Sequence, residues 1–191
     1  MPWRWDVAER DHEIQNPTSP EKIRLLGDYL RLTRESRVLD IACGKARPAL
    51  VLASAYGCRI VGVERLPAFA DEAQGRIAEA GLEALVEIET RDARELPLEP
   101  DGWHAAVCLG ASFVWGTIAE TAAALTPAVR RGGFVAVGEP YWRQWPLPDG
   151  VDSQGYVPLE ETVTRLEQAG LALTGIIAAS DDDWDRYESL H

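Results

Sequence analysis

The fold of this 191-residue chain is decided by residues 37–46, which run RVLDIACGKA. The first six residues form a short apolar run that holds one acid, which is typical of a buried strand, and the small residues around Gly44 then form a loop. Pro48 to Tyr56 is strongly apolar and stops at Gly57, so it predicts a helix. The stretch therefore predicts a strand, a tight turn and a helix in succession.

Strands and helices alternate along most of the chain. Besides residues 37–42, short apolar runs predict strands at residues 59–63, 85–89, 105–109, 134–137 and 171–179. Apolar residues at helical spacing predict helices at about residues 20–30, 48–56, 69–80, 118–129 and 159–169. Alternation of this kind indicates right-handed crossovers and a mostly parallel sheet with helices on both faces. The predicted fold class is α/β, in a single domain that spans residues 1–191.

Composition limits the partners and the compartment of the protein. The net charge is −12 and lysine and arginine form no cluster, so a nucleic-acid partner, which needs a basic face, is not expected. No uncharged apolar run approaches the ~20 residues of a membrane span, and the N-terminus lacks the apolar core of a signal peptide. Cys43, Cys58 and Cys108 show no CxxC spacing, which indicates buried thiols in a reducing compartment. We expect a cytoplasmic protein without membrane association. We also expect acidic residues 181–185 to lie in a solvated loop.

An acidic residue follows each of the first three predicted strands. Asp40 stands near the end of the first, Glu64 follows the second, 20 residues after Gly44, and Asp92 follows the third. In open parallel sheets, ligands bind outside the carboxyl ends of the strands, near the point where the strand order reverses. We therefore expect the three carboxyl groups to face one ligand site.

The stretch Val38–Ala46 resembles the first motif of class I S-adenosylmethionine-dependent methyltransferases of the small-molecule type, which have a Rossmann-like fold. That motif is an apolar strand with an acid near its end, followed by a small-residue loop that opens a helix. The resemblance covers about residues 20–180. The family's loop usually carries three glycines, whereas here Ala42 and Ala46 stand at the outer positions, where alanine replaces glycine readily if φ is negative. Family sheets usually have seven strands, so this chain is expected to lack the last one.

The resemblance assigns the methionine end of the cofactor to residues after the first and fourth strands. Asp40 would attract its ammonium group. The backbone around Ala42 and Gly44, with the start of the following helix, would approach the cofactor and offer N–H donors to its carboxylate. The segment that holds Leu109 and Gly110 would pass beneath the cofactor.

The resemblance also assigns the adenosine end. Glu64, which is followed by Arg65 at the same edge, would accept hydrogen bonds from the ribose hydroxyls. Asp92 would accept from the exocyclic amine of the adenine, while the N–H of Ala93 would donate to a ring nitrogen. An alternative is that Asp92 caps the backbone of its own turn.

Aromatic and acidic residues predict the side on which the methyl acceptor binds. Trp115 follows the fourth strand, and Glu139, Tyr141 and Trp142 follow the fifth. An aromatic cage suits a sulfonium cation or an apolar or cationic acceptor, and Glu139 would orient an acceptor hydroxyl or amine. The alternatives are that the tryptophans pack in the core and that Glu139 caps the turn before Pro140.

The first 19 residues form a polar lead that contains Trp3 and Trp5. In the family such a lead often folds over the site as a lid. We therefore expect residues 1–19 to form a lid segment within the single domain.

The functional hypothesis is methyl transfer from S-adenosylmethionine to a small-molecule acceptor by in-line displacement, with S-adenosylhomocysteine as product. A sulfonium methyl is already electrophilic, so the protein mainly aligns the reactants and excludes water, and no catalytic residue is assigned. The scattered histidines and cysteines give no metal-ligand spacing, so no metal is expected. Two alternatives are a non-catalytic S-adenosylmethionine-binding protein and an NAD-dependent oxidoreductase, which the absence of a GxGxxG motif disfavours. The acceptor and the oligomeric state stay open.

Overall fold

The centre of the fold is a parallel sheet of five strands. The structure, a computed structural model, describes residues 5–190, with side chains from residue 7 onward. The strands are β1 Arg37–Ile41, β2 Arg59–Glu64, β3 Val86–Thr90, β4 Trp103–Leu109 and β5 Val129–Gly138. Their order across the sheet is β3-β2-β1-β4-β5, and every neighbouring pair is parallel. The strand order reverses between β1 and β4, so a crevice opens at the carboxyl ends of these strands.

Helices cover both faces of the sheet. They are α1 Trp5–Ala8, α2 Pro20–Tyr29, α3 Arg47–Tyr56, α4 Pro67–Ala80, α5 Ile118–Leu125, α6 Leu159–Gln168 and α7 Asp181–Glu188. Successive strand residues point to opposite faces, so Val38 belongs to the core cluster beneath α2, α3 and α4, while Leu39 belongs to the cluster beneath α5. The predicted α/β class with a mostly parallel sheet is confirmed. Within the described residues, no helix is both long and apolar enough to cross a membrane.

The last predicted strand is wrong. Residues 171–179 form no regular element, and the side chains of Leu173 and Ile176 are exposed. The segment lies beside α2, where Lys22 Nζ donates to the carbonyl oxygen of Ala178 at 2.8 Å. An apolar stretch becomes a strand only when another strand supplies the partner for its N–H and C=O groups, and between residues 5 and 190 none lies next to it.

The fifth strand begins earlier than the predicted residues 134–137 and includes the two glycines at positions 132 and 133. Trp103 pairs with Val129 and Ala105 pairs with Phe134, so residues 130–133 bulge out opposite a single residue of β4. A Cβ atom at Gly133 would lie 2.8 Å from two backbone oxygens. The bulge therefore needs glycine at this position, because the two chains approach too closely for a side chain.

The acidic residues 181–185 begin a helix and do not form the predicted solvated loop. Ser180 caps α7, and Asp183 completes a reciprocal capping box with it. The carboxylate of Asp183 is buried and also accepts a hydrogen bond from Lys22 Nζ of α2. Burial works to raise the pKa of Asp183, but the hydrogen bonds from Lys22 and Ser180 outweigh it and lower that pKa to about 2. Acidic residues suit this position because the N-terminus of a helix carries partial positive charge.

The substitution Asp183→Ala tests how firmly α7 is attached to the fold. We expect it to lower the free energy of unfolding by about 2 kcal/mol at pH 7, because it breaks a buried ion pair and the helix cap together. The pKa of Asp183 is depressed in the folded state, so this contribution is present above about pH 4 and is lost as the pH falls towards 2. Urea unfolding at pH 7 and pH 3 measures both effects.

The matched control for this measurement is Asp182→Ala, which removes the same charge from an exposed position in the same helical turn. We expect it to change the free energy of unfolding by less than about 0.5 kcal/mol. Equal losses in the two variants would contradict the assignment of the stabilisation to the contacts of Asp183.

Candidate functional site

A cavity of about 230 Å³ lies where the strand order reverses, at the carboxyl ends of the sheet. All nine residues that the sequence predicted to bind a cofactor line it: Asp40, Ala42, Gly44, Glu64, Arg65, Asp92, Ala93, Leu109 and Gly110. They meet because neighbouring parallel strands end at the same edge of the sheet. Among residues 5–190, no group of three side chains is arranged to hold a metal ion.

The loop between β1 and α3 keeps a left-handed backbone at each of the three positions where the family usually has glycine. The φ angles are +52° at Ala42, +55° at Gly44 and +59° at Ala46. The condition under which alanine readily replaces glycine, a negative φ, is therefore not met at Ala42 and Ala46. An L-residue in the left-handed region costs roughly 1–2 kcal/mol, so the two alanines store strain in the loop beside the cavity.

Asp40 and Glu64 place two carboxyl groups against the same part of the cavity. Both carboxylate oxygens of Glu64 are engaged: Oε2 accepts from the N–H of Gly44 at 3.0 Å and Oε1 from the N–H of Leu66 at 2.7 Å. Asp40 is 4% exposed, and no described residue donates a hydrogen bond to its carboxyl group. Burial and the nearby charge of Glu64 raise the pKa of Asp40 to about 7. A buried carboxylate without a partner attracts a cation strongly, so this end of the cavity favours a positively charged group.

Asp92 is fixed at the rim of the cavity by Arg94. Its Oδ1 accepts from the backbone N–H and from Nε of Arg94, both at 3.0 Å, and its Oδ2 accepts from Nη2 at 2.5 Å. These hydrogen bonds lower the pKa of Asp92 to about 2. The alternative that Asp92 caps its own turn is therefore correct for the backbone. The carboxylate of Asp92 can still accept a hydrogen bond from a ligand, because a carboxylate has about four lone-pair sites.

The lead contributes part of the cavity wall. Four of its residues line the cavity: Glu9, Glu13, Gln15 and Asn16. Gln15 Oε1 accepts from the N–H of Lys45 at 3.0 Å, and Asn16 Nδ2 donates to the carbonyl oxygen of Leu109 at 3.1 Å. The lead therefore docks on the two loops that follow β1 and β4. Trp3 and the side chain of Trp5 lie outside the described part of the chain.

Lys45 also lines the cavity, and the sequence analysis did not single it out. It is the bulkiest of the side chains that are less than 2% exposed. Its Nζ atom donates to the carbonyl oxygen of Arg10 and lies 3.2 Å from Oε2 of Glu72. Lys45 therefore ties the lead to α4. The sequence carries no signal for this role, because Arg10 and Glu72 are 35 residues before it and 27 after it.

None of the four residues predicted to bind the acceptor lines the cavity. Glu139, which follows β5, lies next to it: its Oε2 accepts from the hydroxyl of Ser112 at 2.6 Å, and Ser112 follows the cavity residue Ala111. Burial raises the pKa of Glu139, although the hydrogen bond from Ser112 works against the rise. Burial also raises the pKa of Tyr156, and the charge of Glu139 adds to that rise.

The predicted aromatic residues pack against the protein. Trp115 is half-buried against the core cluster beneath α5. The indole N–H of Trp142 donates to the carbonyl oxygen of Ser153 at 3.1 Å, which fixes the loop after β5. Tyr141 is half-buried beside it. The alternative of packing and anchoring therefore describes the contacts of Trp115 and Trp142.

Comparison with known proteins shows which family the chain and its structure resemble. A family model described as methyltransferase domain matches residues 38–133, from β1 into β5. The structure is similar to that of an S-adenosylmethionine-dependent methyltransferase from Thiobacillus denitrificans in complex with S-adenosylhomocysteine. The TM-score is 0.91 at 29% sequence identity, over 100% of this chain and 79% of that one.

Two further relatives agree with this match. An S-adenosylmethionine-dependent methyltransferase from Geobacter sulfurreducens, also in complex with S-adenosylhomocysteine, is similar with a TM-score of 0.90 and 31% identity, over 97% of this chain and 77% of that one. The 27-O-demethylrifamycin SV methyltransferase of Amycolatopsis mediterranei is 28% identical over 87% of this chain and 64% of its own length.

The strain in the loop after β1 can be measured with Ala42→Gly. We expect this change to raise the free energy of unfolding by about 0.5–1 kcal/mol, because glycine adopts the left-handed backbone without strain. Ala46→Gly is the control: it relieves similar strain but removes a fully buried methyl group, whose loss costs about 0.8 kcal/mol. The control should therefore be close to neutral in urea unfolding. A destabilised Ala42→Gly variant would show that the loop is not strained at this position.

Proposed function

The chain belongs to the methyltransferase domain family, and from that premise we propose that the cavity binds S-adenosylmethionine with its methionine end at Asp40 and its adenosine end at Asp92. The protein is an S-adenosylmethionine-dependent methyltransferase. When bound, the cofactor supplies a methyl group made electrophilic by its sulfonium sulfur. The single observation that carries the proposed orientation is Asp40, a buried carboxyl group that lines the cavity and lacks a hydrogen-bond partner among the described residues.

At the methionine end, the residues of the chain bind an ammonium and a carboxylate together. Asp40 attracts the ammonium group, because its own charge is poorly solvated and gains most from an opposite charge. The backbone after β1 presents the N–H group of Lys45 next to the start of α3, where a carboxylate is favoured, whereas the N–H of Gly44 is engaged by Glu64. Ala42, Leu109 and Gly110 bring the backbone close to the cavity from both sides of the crevice.

At the adenosine end, Glu64 and Asp92 are held in place before any ligand binds. The N–H groups of Gly44 and Leu66 orient Glu64, and Arg94 orients Asp92, so neither carboxylate has to be ordered on binding. Each oxygen can accept a further hydrogen bond, from a ribose hydroxyl at Glu64 and from the adenine amine at Asp92. Arg65 and Ala93 complete this end of the cavity.

The acceptor is proposed to be a small molecule that binds beside Ser112 and Glu139. One support is that Ser112 adjoins the cavity while its hydroxyl group holds the half-buried carboxyl group of Glu139. A second is the rifamycin methyltransferase, a relative whose name gives a small-molecule substrate. Glu139 would orient an acceptor hydroxyl or amine. Trp115, Tyr141 and Trp142 would shape the wall behind it.

The proposed partners and location follow from charge and cysteine chemistry. With a net charge of −12, the protein repels nucleic acid, so we assign no nucleic-acid partner. Cys43, Cys58 and Cys108 are all buried and unpaired with one another, which suits a reducing compartment such as the cytoplasm.

The charge of Asp40 predicts how cofactor binding depends on pH. We expect isothermal titration calorimetry to show S-adenosylhomocysteine binding that weakens as the pH falls from 8 to 6. The reason is that Asp40, with a pKa of about 7, becomes neutral and no longer attracts the ammonium group. Asp40→Asn should weaken binding at pH 8 about tenfold and remove most of this pH dependence. The same variant should be more stable than the wild type without ligand at pH 8, because it lacks a buried charge.

The control for this experiment is Asp92→Asn. The pKa of Asp92 is about 2, so its charge is constant between pH 6 and 8, and its loss should weaken binding without altering the pH dependence. If the wild type bound S-adenosylhomocysteine equally well at pH 6 and pH 8, the proposed place of the ammonium group would be wrong. If it bound no S-adenosylhomocysteine at either pH, the proposed site would be wrong altogether.

Methyl transfer from labelled S-adenosylmethionine to a panel of amines, phenols and carboxylates tests the acceptor side. With any acceptor that the wild type methylates, we expect Glu139→Gln to lower the transfer rate at least tenfold while the affinity for S-adenosylhomocysteine stays within twofold. Glu120→Gln, an exposed acid that does not line the cavity, is the control and should change neither quantity. Unchanged transfer in Glu139→Gln would remove this residue from the acceptor site.

A further inference from the structure

Two consecutive side chains of the lead make opposite kinds of hydrogen bond inside the cavity. The side-chain oxygen of Gln15 accepts from the N–H of Lys45, at the start of α3. The side-chain nitrogen of Asn16 donates to the carbonyl oxygen of Leu109, at the end of β4. One acceptor and one donor, next to each other in the chain, therefore dock on the two loops that border the crevice.

The methionine end of the cofactor offers the same pair of groups. Its carboxylate accepts hydrogen bonds and its ammonium group donates them, and one carbon atom joins the two. In the proposed orientation the carboxylate needs N–H donors after β1, and the ammonium group lies towards the other side of the crevice. Gln15 thus takes the place of the cofactor's carboxylate at the N–H of Lys45. Asn16 takes the place of the cofactor's ammonium group at the carbonyl oxygen of Leu109.

The glycines of the two loops fit these side chains closely. A Cβ atom at Gly44 would lie 1.9 Å from Oε1 of Gln15, and one at Gly110 would lie 2.0 Å from Oδ1 of Asn16. The two amides therefore fill the space that the missing side chains leave. Their entry also accounts for the small cavity, about 230 Å³ against the roughly 300–1,000 Å³ usual for small-molecule sites.

We propose that Gln15 and Asn16 are a built-in mimic of the amino-acid end of the cofactor, which occupies the methionine subsite until a ligand displaces it. This inference rests on the proposed function, since it needs that orientation of the cofactor. The mimic satisfies the backbone groups of both loops when no ligand is present and keeps the lead closed over the cavity. Only a ligand that carries an amino-acid end has to displace the mimic. The two amides therefore lower the affinity for such ligands relative to ligands that lack that end.

The test compares two ligands that differ only at the amino-acid end. S-adenosylhomocysteine carries it, whereas 5′-methylthioadenosine has the adenosine and the sulfur without it. Affinities of both are measured by calorimetry at pH 8 for the wild type, for Gln15→Ala and Asn16→Ala, and for the double variant. Asp11→Ala is the control, because Asp11 belongs to the same lead but is exposed and does not line the cavity.

We expect the double variant to bind S-adenosylhomocysteine about tenfold more tightly than the wild type, and each single variant about threefold, because one net hydrogen bond has to be broken for each amide. The affinity for 5′-methylthioadenosine should stay within twofold in every variant. Asp11→Ala should leave both affinities unchanged. Thermal unfolding of each variant confirms that the fold is kept, and the single variants carry the test if the double variant does not fold.

Three other results would overturn the proposal. Weaker binding of S-adenosylhomocysteine by the double variant would mean that the amides are ordinary contacts to the bound ligand. Equal tightening for both ligands would mean that the lead blocks the whole cavity and does not imitate one end of the cofactor. If the wild type bound neither ligand, the proposed function would fall first and the mimic with it, whereas the first two results leave the proposed function intact.

Discussion

The site depends on one constraint: β1 is the central strand and pairs in parallel with β2 on one side and with β4 on the other. Both neighbours are reached by crossovers that run in opposite directions along the sheet, so the chain leaves a crevice at the carboxyl end of β1. Asp40 lies in β1 itself and Glu64 ends β2, while Gly110 follows β4. The same pairing that forms the core therefore brings together groups that are up to 70 residues apart in the chain.

Several groups around this crevice are strained or poorly solvated, whereas the residues beneath it are well packed. Asp40 is buried without a hydrogen-bond partner among the described residues, and Ala42 and Ala46 hold backbone angles that disfavour a side chain. Val38 and Leu39, in the same strand, are fully buried in the two core clusters. Strain and poor solvation are tolerated at the site because the packing below fixes the strand, and a bound cation offsets the poor solvation of Asp40.

The lead is held in place by contacts with distant parts of the chain. Tyr187 of α7 donates to Oε1 of Glu9 at 2.7 Å, and its carbonyl oxygen lies 3.0 Å from Nε2 of the buried His12. Between these two residues, Lys45 holds the carbonyl oxygen of Arg10. α7 therefore anchors the lead, four of whose residues line the cavity. Exclusion of water is what a methyl transfer by displacement requires of the protein.

The sequence by itself determined the sheet, the helices over it and the wall of the cavity formed by strand ends. The spacing of apolar residues identifies strands and helices. Because parallel strands end at the same edge of the sheet, Asp40, Glu64 and Asp92 lie together there. Only the tertiary structure decided that residues 171–179 form no strand, because a strand needs a partner that local pattern cannot supply. The roles of Gln15 and Asn16 were also decided there, since each depends on a backbone group 30 or 93 residues away. Local sequence fixes which hydrogen-bonding groups a segment offers, and only the folded chain fixes which partners they find.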